Sequence, residues 1–170
     1  FTNDLSDARK GADTDSRIGP PRMVASGIIS EQQMAAATAA AFVLASIAGV
    51  YLILEAGWVI AAVGLTSIVA AIGYVGGPRP YGYRGLGELF VFVFFGLIAT
   101  VTSRYVHDQS APLDAWLLAI PVGFLVTAIL VANNVRDIET DAEAGKRTLA
   151  VMIGRERTRT LFAVLVFGSF

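Results

Sequence analysis

The sequence predicts an all-α fold, a polytopic transmembrane helical bundle, and three observations carry that prediction. Hydrophobic residues make up 55% of the chain and charged residues only 16%, against about 25% charged in soluble domains. The charges are clustered, so that the intervening apolar runs are long enough to cross a bilayer. The cations are also sorted by connector. Lys and Arg number four in residues 1–33, none in 55–57, two in 77–88, one in 104–114 and six in 133–160. The positive-inside bias produces this alternation, whereas a soluble bundle has no reason to sort its cations by connector parity. It places residues 1–33, 77–88 and 133–160 on the cytoplasmic side of the membrane, with 55–57 and 107–112 opposite.

Taken in order, residues 1–33 read as a polar connector in which Gly11, Gly19, Pro20, Pro21 and Gly27 break any long helix. Residues 34–54 form the first complete span, rich in Ala, which allows close helix approach. The turn Glu55-Ala56-Gly57 is so short that spans 34–54 and 57–76 are expected to be antiparallel neighbours. Residues 76–85 are a breaker-rich loop carrying Arg79, Arg84, Tyr81 and Tyr83, which can close over a site. Span 89–105 holds Phe90, Phe92, Phe94 and Phe95 for lipid contact or packing. Pro121 lies inside span 113–132 and is expected to kink it. Ser30-Glu31 and residues 140–143 sit near helix ends, where capping explains them. A fifth span begins near Leu161 and is cut off at Phe170. The chain starts at Phe1 with a motif already under way, so residues 1–170 read as one transmembrane domain incomplete at both ends.

The chemistry concentrates at two places. In Asn133-Asn134-Val135-Arg136-Asp137-Ile138-Glu139-Thr140-Asp141, helical spacing puts Asn133, Asp137 and Asp141 at i, i+4 and i+8, on one face. Asn3-Asp4-Leu5-Ser6-Asp7 is a shorter copy, with Asn3 and Asp7 four apart. Four complete spans separate the two motifs, an even number, so both reach the same side, as in repeated halves with a site between them. Mg²⁺ prefers hard oxygen ligands, usually one or two carboxylates completed by phosphate oxygens and water. Asp7, Asp137 and Asp141 are therefore the expected metal-binding and catalytic carboxylates, with Asn3 as a neutral oxygen ligand. Asp4 falls one residue off that face and is expected behind the ligands. Asn133 either joins them or bridges helices. Arg22, Arg136, Lys146 and Arg147 are the expected partners of a diphosphate, with Tyr83 closing from the middle loop. Arg155, Arg157 and Arg159 read as topogenic charge.

Several classes are excluded. Cys is absent, removing disulfides, thiolate metal sites and Cys nucleophiles. The single histidine, His107, falls on the side away from both motifs. A net charge of −1 offers no field for nucleic acid. Gly145-Lys146 lacks P-loop spacing, and 137–141 lacks the EF-hand ligand series.

Together these residues resemble the intramembrane aromatic prenyltransferases of the UbiA superfamily. Asn3-Asp4-Leu5-Ser6-Asp7 is similar to the family's first aspartate motif and Asp137-x-x-x-Asp141 to its second. Lys10-Gly11-Ala12-Asp13, residues 74–83, and Asn133 through Val151 are most similar to the branch acting on 1,4-dihydroxy-2-naphthoate. The resemblance implies a multi-pass protein of the bacterial plasma membrane with its active site facing the cytoplasm. It implies Mg²⁺-dependent transfer of a polyprenyl group from polyprenyl diphosphate to the naphthoate. The ring loses its carboxylate in the process, giving demethylmenaquinone for menaquinone biosynthesis. Transfer is expected to begin with ionisation of the allylic C–O bond, assisted by Mg²⁺, Lys146 and Arg147. Gly11 stands where many relatives carry a third acid, with Asp13 nearby. Two alternatives remain: a 4-hydroxybenzoate or chlorophyll-type enzyme of the same superfamily, and a cation-coupled transporter, which would need acids near mid-span.

Overall fold

The computed structural model describes residues 1–9, 20–76 and 80–170. Helix α1, Thr2–Arg9, precedes α2, Glu31–Ala56. Ser30 starts α2 with a reciprocal cap: its Oγ accepts from the Gln33 N–H, and Gln33 Oε1 accepts from the Ser30 N–H. Gly57, at φ 85°, is the whole joint between α2 and α3, Trp58–Val75. A left-handed φ at a single residue suits glycine and turns α3 back antiparallel along α2. A 3₁₀ turn, Tyr81–Arg84, leads into α4, Gly87–Asp108. Helix α5, Leu113–Arg136, continues through Pro121. The short helices α6, Ile138–Glu143, and α7, Leu149–Ile153, then lead to α8, Arg155–Phe167. Helices α2, α3, α4 and α5 are each long and apolar enough to cross a membrane. Against the expected spans, α2, α4 and α5 run a few residues past 34–54, 89–105 and 113–132, α3 falls one residue short of 57–76 at each end, and α8 starts six residues before Leu161.

Helix α5 lies at the centre, packed against α4 on one side and α8 on another. One cluster of buried side chains joins Ala128, Val131 and Leu165, with Phe124, Leu161 and Val166 packed against it. The middle of α4, Phe92–Ile98, winds as a π-helix, a wider turn that the sequence reading did not anticipate. There Gly96 meets Gly123 of α5 so closely that a Cβ on Gly96 would lie 2.3 Å from the Gly123 Cα. Close backbone approach at small residues is how helices associate in lipid, where burying apolar surface drives nothing. Large apolar side chains point outward along the spans, among them Leu44, Leu65 and Leu118, each about two-thirds exposed. Water does not tolerate such a continuous apolar belt, and lipid does. The chain is an integral membrane protein.

The two ends of the bundle differ. At one, Gln109 Nε2 donates to the Glu55 carbonyl at 3.2 Å, tying together the two cation-poor connectors, with His107 close by in sequence. At the other end, α1, the 3₁₀ turn, α6 and α7 gather around the last turns of α3 and α5.

Candidate functional site

Ser6 fastens α1 to the end of α3 by donating to the Val75 carbonyl at 2.9 Å. Asp4 is buried and accepts from the Met23 and Val24 N–H groups, each at 3.1 Å. It thus holds the strand of chain that carries Arg22 instead of facing the cavity. Asp7 is 3% exposed and gathers cationic and phenolic partners from distant parts of the sequence. Lys146 Nζ donates to its Oδ2 at 2.9 Å, the Tyr83 hydroxyl to its Oδ1 at 2.5 Å, and the Arg22 guanidinium stands 3.9 Å away. Lys146 also lies 3.9 Å from Asp141 Oδ1 and 5.1 Å from the centre of the Tyr83 ring. A buried carboxylate demands such compensation.

The second motif departs from one uninterrupted helix. Helix α5 ends at Arg136, and Asp137 (φ −96°, ψ 13°) forms the joint to α6. The backbone ladder nonetheless continues, Asp137 N–H to Asn133 O at 3.1 Å and Asp141 N–H to Asp137 O at 2.8 Å, so the four-residue spacing survives. After α6, Gly145 takes a left-handed φ of 71°, and the Lys146 N–H returns to the Asp141 carbonyl at 2.8 Å. That turn aims the Lys146 side chain back across the acids. The Arg147 N–H donates to the Tyr83 carbonyl at 3.0 Å and docks this loop on the 3₁₀ turn.

A cavity of about 400 Å³ opens between these pieces, and Asn3, Asp7, Asn133, Asp137, Asp141 and Lys146 all wall it, together with Arg22, Tyr83 and Arg136. Arg136 grips its neighbour Asp137 with two bonds, at 2.6 and 2.7 Å. Among the described residues no three acidic or imidazole groups converge as a ready-made metal cluster. The donor set is nevertheless hard oxygen throughout, the type that takes Mg²⁺ with substrate oxygens completing the shell.

Of the expected residues, the Arg147 side chain is exposed and is not among the cavity walls, while its backbone docks the loop. Arg84 is likewise exposed and off the wall. Tyr81 stacks on Phe90 at 3.8 Å and donates to the Ala70 carbonyl at 2.6 Å. Burial pushes its phenol above the ordinary 10.0, and its role is to pack the loop. Arg155 is more than loose charge. It forks onto Glu139 at 2.7 Å and donates to the Val135 carbonyl at 2.9 Å, bracing the end of α5 against α6. Lys10, Gly11, Asp13 and Arg79 lie outside the described residues. Tyr74, Asn134, Thr140 and Thr148 also wall the cavity, although the sequence reading assigns none of them a place in the site. Thr148 carried a readable signal, because it caps α7 through a bond from the Val151 N–H.

The model of the UbiA prenyltransferase family matches residues 1–170. A 1,4-dihydroxy-2-naphthoate octaprenyltransferase from Mycobacterium tuberculosis is 43% identical over 167 residues, covering 98% of this chain and 56% of that protein. One from Escherichia coli is 41% identical over 175 residues, 99% of this chain and 57% of that protein. A mouse UbiA prenyltransferase domain-containing protein 1 is 36% identical over 97 residues, covering 57% of this chain and 29% of that protein. The chain thus spans little more than half the length of its bacterial relatives. No solved structure matches. With a family model matching the chain from end to end and relatives above 40% identity along it, the chain belongs to the UbiA prenyltransferase family.

Proposed function

We propose that the full-length protein transfers a polyprenyl group from polyprenyl diphosphate to 1,4-dihydroxy-2-naphthoate, giving the hydroquinone demethylmenaquinol, which only a separate two-electron oxidation would turn into demethylmenaquinone, and that residues 1–170 are part of its single transmembrane domain. One observation carries this reading: acids from opposite ends of the chain, Asp7 and Asp137/Asp141, face one cavity together with Lys146, Arg22 and Tyr83. Asn3, Asp7, Asp137 and Asp141 would hold Mg²⁺, which neutralises diphosphate oxygens and stabilises the charge that grows as the C–O bond breaks.

The chain's own residues then exchange partners. Lys146 and Arg22, now paired with Asp7, and Arg136, now paired with Asp137, turn to the diphosphate once the carboxylates are otherwise engaged. The Tyr83 hydroxyl can follow, donating to a phosphate oxygen in place of Asp7. The allylic C–O bond breaks with its electron pair leaving on the diphosphate, and the ring carbon bearing the carboxylate attacks the cation. The carboxylate departs as CO₂, returning its electron pair to the ring, so no net proton transfer is required. Neither a Cys nor a His near the cavity offers a covalent nucleophile, and positioning and charge screening account for the chemistry. The connector charges support a cavity facing the cytoplasm of a bacterial plasma membrane. Acids at the ends of spans, where these lie, weigh against an ion-coupled transporter.

The test is turnover by purified full-length protein. Demethylmenaquinol from dihydroxynaphthoate, detected as its quinone after air oxidation, and a much slower reaction with 4-hydroxybenzoate, is the expected result. The reverse preference would move the protein to the other acceptor class, and loss of product only upon chelation would support the metal.

A further inference from the structure

Glu88, in the first turn of α4, is 6% exposed and lies behind the cavity wall. Its Oε1 accepts from Asn134 Nδ2 at 2.8 Å, and its Oε2 is buried without a hydrogen-bond partner among the described residues. The carboxylate therefore depends on Asn134 for the only side-chain bond it makes among the described residues. Its place at a helix N-terminus makes the charge tolerable. A carboxylate only accepts hydrogen bonds, so the Asn134 NH₂ must face it and the amide oxygen must face away. Flipping the amide would set oxygen against oxygen and leave both Glu88 oxygens unpartnered, which a buried site resists strongly. Asn134 is half-buried and walls the cavity, and with its NH₂ held by Glu88 its Oδ1 is the amide atom left to meet a ligand there. Beside it lies apolar surface. Leu130 and Tyr74 both wall the cavity, and both come so near Gly87 that a Cβ there would meet them at 3.4 and 3.5 Å.

We propose that Asn134 Oδ1 accepts a hydrogen bond from a ring hydroxyl of the aromatic acceptor, whose ring lies on Leu130 and Tyr74, and that Glu88 is the positioning residue that locks the amide in this orientation. Asn134 shares the cavity wall with Leu130 and Tyr74, while Lys146 and Arg22 would hold the diphosphate. This inference rests on the aromatic-prenylation reading and adds to it the group that selects a hydroxylated ring. It predicts that the site distinguishes a hydroxyl, which donates, from a methyl ether, which does not. Sites built around a buried acceptor reject ligands that leave it unpaired.

The experiment uses full-length protein in detergent. It measures KM for dihydroxynaphthoate and for polyprenyl diphosphate, and inhibition constants for the two mono-O-methyl ethers of the acceptor, whose binding does not depend on ring reactivity. Glu88→Gln frees the amide to turn either way. It is expected to raise the acceptor KM roughly tenfold, leave the donor KM unchanged, and shrink the discrimination against one ether to about twofold. The double variant Glu88→Gln/Asn134→Asp exchanges donor and acceptor across the pair, again leaving an oxygen toward the cavity. It is expected to restore both the acceptor KM and the ether discrimination, which a merely structural bridge would not couple. If Glu88→Gln does not accumulate folded, the double variant alone decides, since retained ether discrimination supports the assignment and its loss overturns it. An active wild type with Glu88→Gln unchanged in acceptor KM would overturn this inference alone. A wild type that prenylates no hydroxylated aromatic would overturn the functional reading and this inference with it.

Discussion

Replacing Lys146 with Met is predicted to move two ligands in opposite directions. Lys146 Nζ lies 2.9 Å from Asp7 Oδ2 and 3.9 Å from Asp141 Oδ1, so in the ligand-free protein it occupies the place a cation would take. The Coulomb energy of the closer pair, at 2.9 Å, is about 6 kcal/mol at an effective dielectric of about 20, and about 1.4 kcal/mol in bulk water. The bulk-water figure serves as the floor, and it corresponds to a tenfold change in affinity. Lys146→Met should therefore tighten Mg²⁺ binding in the absence of diphosphate by about tenfold or more. A diphosphate, in contrast, loses a charge-assisted hydrogen bond of about 1.5–3 kcal/mol, and its affinity at saturating Mg²⁺ should fall by at least about tenfold. Asp7 retains Tyr83 and Arg22, which keeps the variant foldable. Calorimetric titration of detergent-purified protein, first with MgCl₂ and then with inorganic diphosphate, reads both numbers. Unchanged Mg²⁺ affinity, or a loss for both ligands, would refute the reasoning.

Asp137→Ala and Asp141→Ala are expected to abolish prenyl transfer while the protein remains folded, as judged by detergent melting and monodispersity; full activity in both at saturating Mg²⁺ would count against a metal role. Donors fluorinated near the reacting prenyl carbon should turn over far more slowly when chemistry limits the rate, because positive charge builds there. Gly96→Ala would press a methyl group against the Gly123 backbone and should destabilise the bundle by about 1–3 kcal/mol, seen as a lower melting temperature without a selective change in either KM. Arg155→Ala should loosen the brace between α5 and α6 and change kcat by no more than about twofold. The Arg155 guanidinium holds the Glu139 carboxyl below its ordinary 4.5. That contribution is complete above the unfolded value and lost as pH falls through the folded one, so the Arg155→Ala stability deficit should be constant through neutral pH and shrink in acid to what the bond to the Val135 carbonyl contributes.

Much of this was legible because the membrane makes sequence patterns strict. Apolar runs gave the four spans within a few residues, and Gly57 marked a reversal that only a short turn could make. The two Asn-x-x-x-Asp repeats pointed to one cavity because an even number of spans separates them. What escaped depended on side chains meeting across elements. Asn134 was passed over beside Asn133, since nothing local distinguishes two adjacent amides; the difference is Glu88, 46 residues away. Arg147 and Lys146 are equally basic neighbours, and only the left-handed turn at Gly145 decides which one faces the acids. Arg155 looked topogenic because charge counting assigns every cytoplasmic cation the same meaning, whereas its partners at Glu139 and Val135 arise from the break at Asp137. The π-helical turn of α4 coincides with its close packing at Gly123, which no periodicity in Phe92–Ile98 announces.

The central claim is that Asp7 and Asp137, brought from the two ends of the chain, serve one metal-dependent diphosphate site. The most direct measurement is calorimetric binding of a non-ionisable prenyl diphosphate analogue to full-length wild type, Asp7→Asn and Asp137→Asn, each with and without Mg²⁺. The account predicts binding by the wild type that requires Mg²⁺, and a loss of about tenfold or more in each variant. Equal affinity with and without the metal, or a loss confined to one of the two variants, would contradict it.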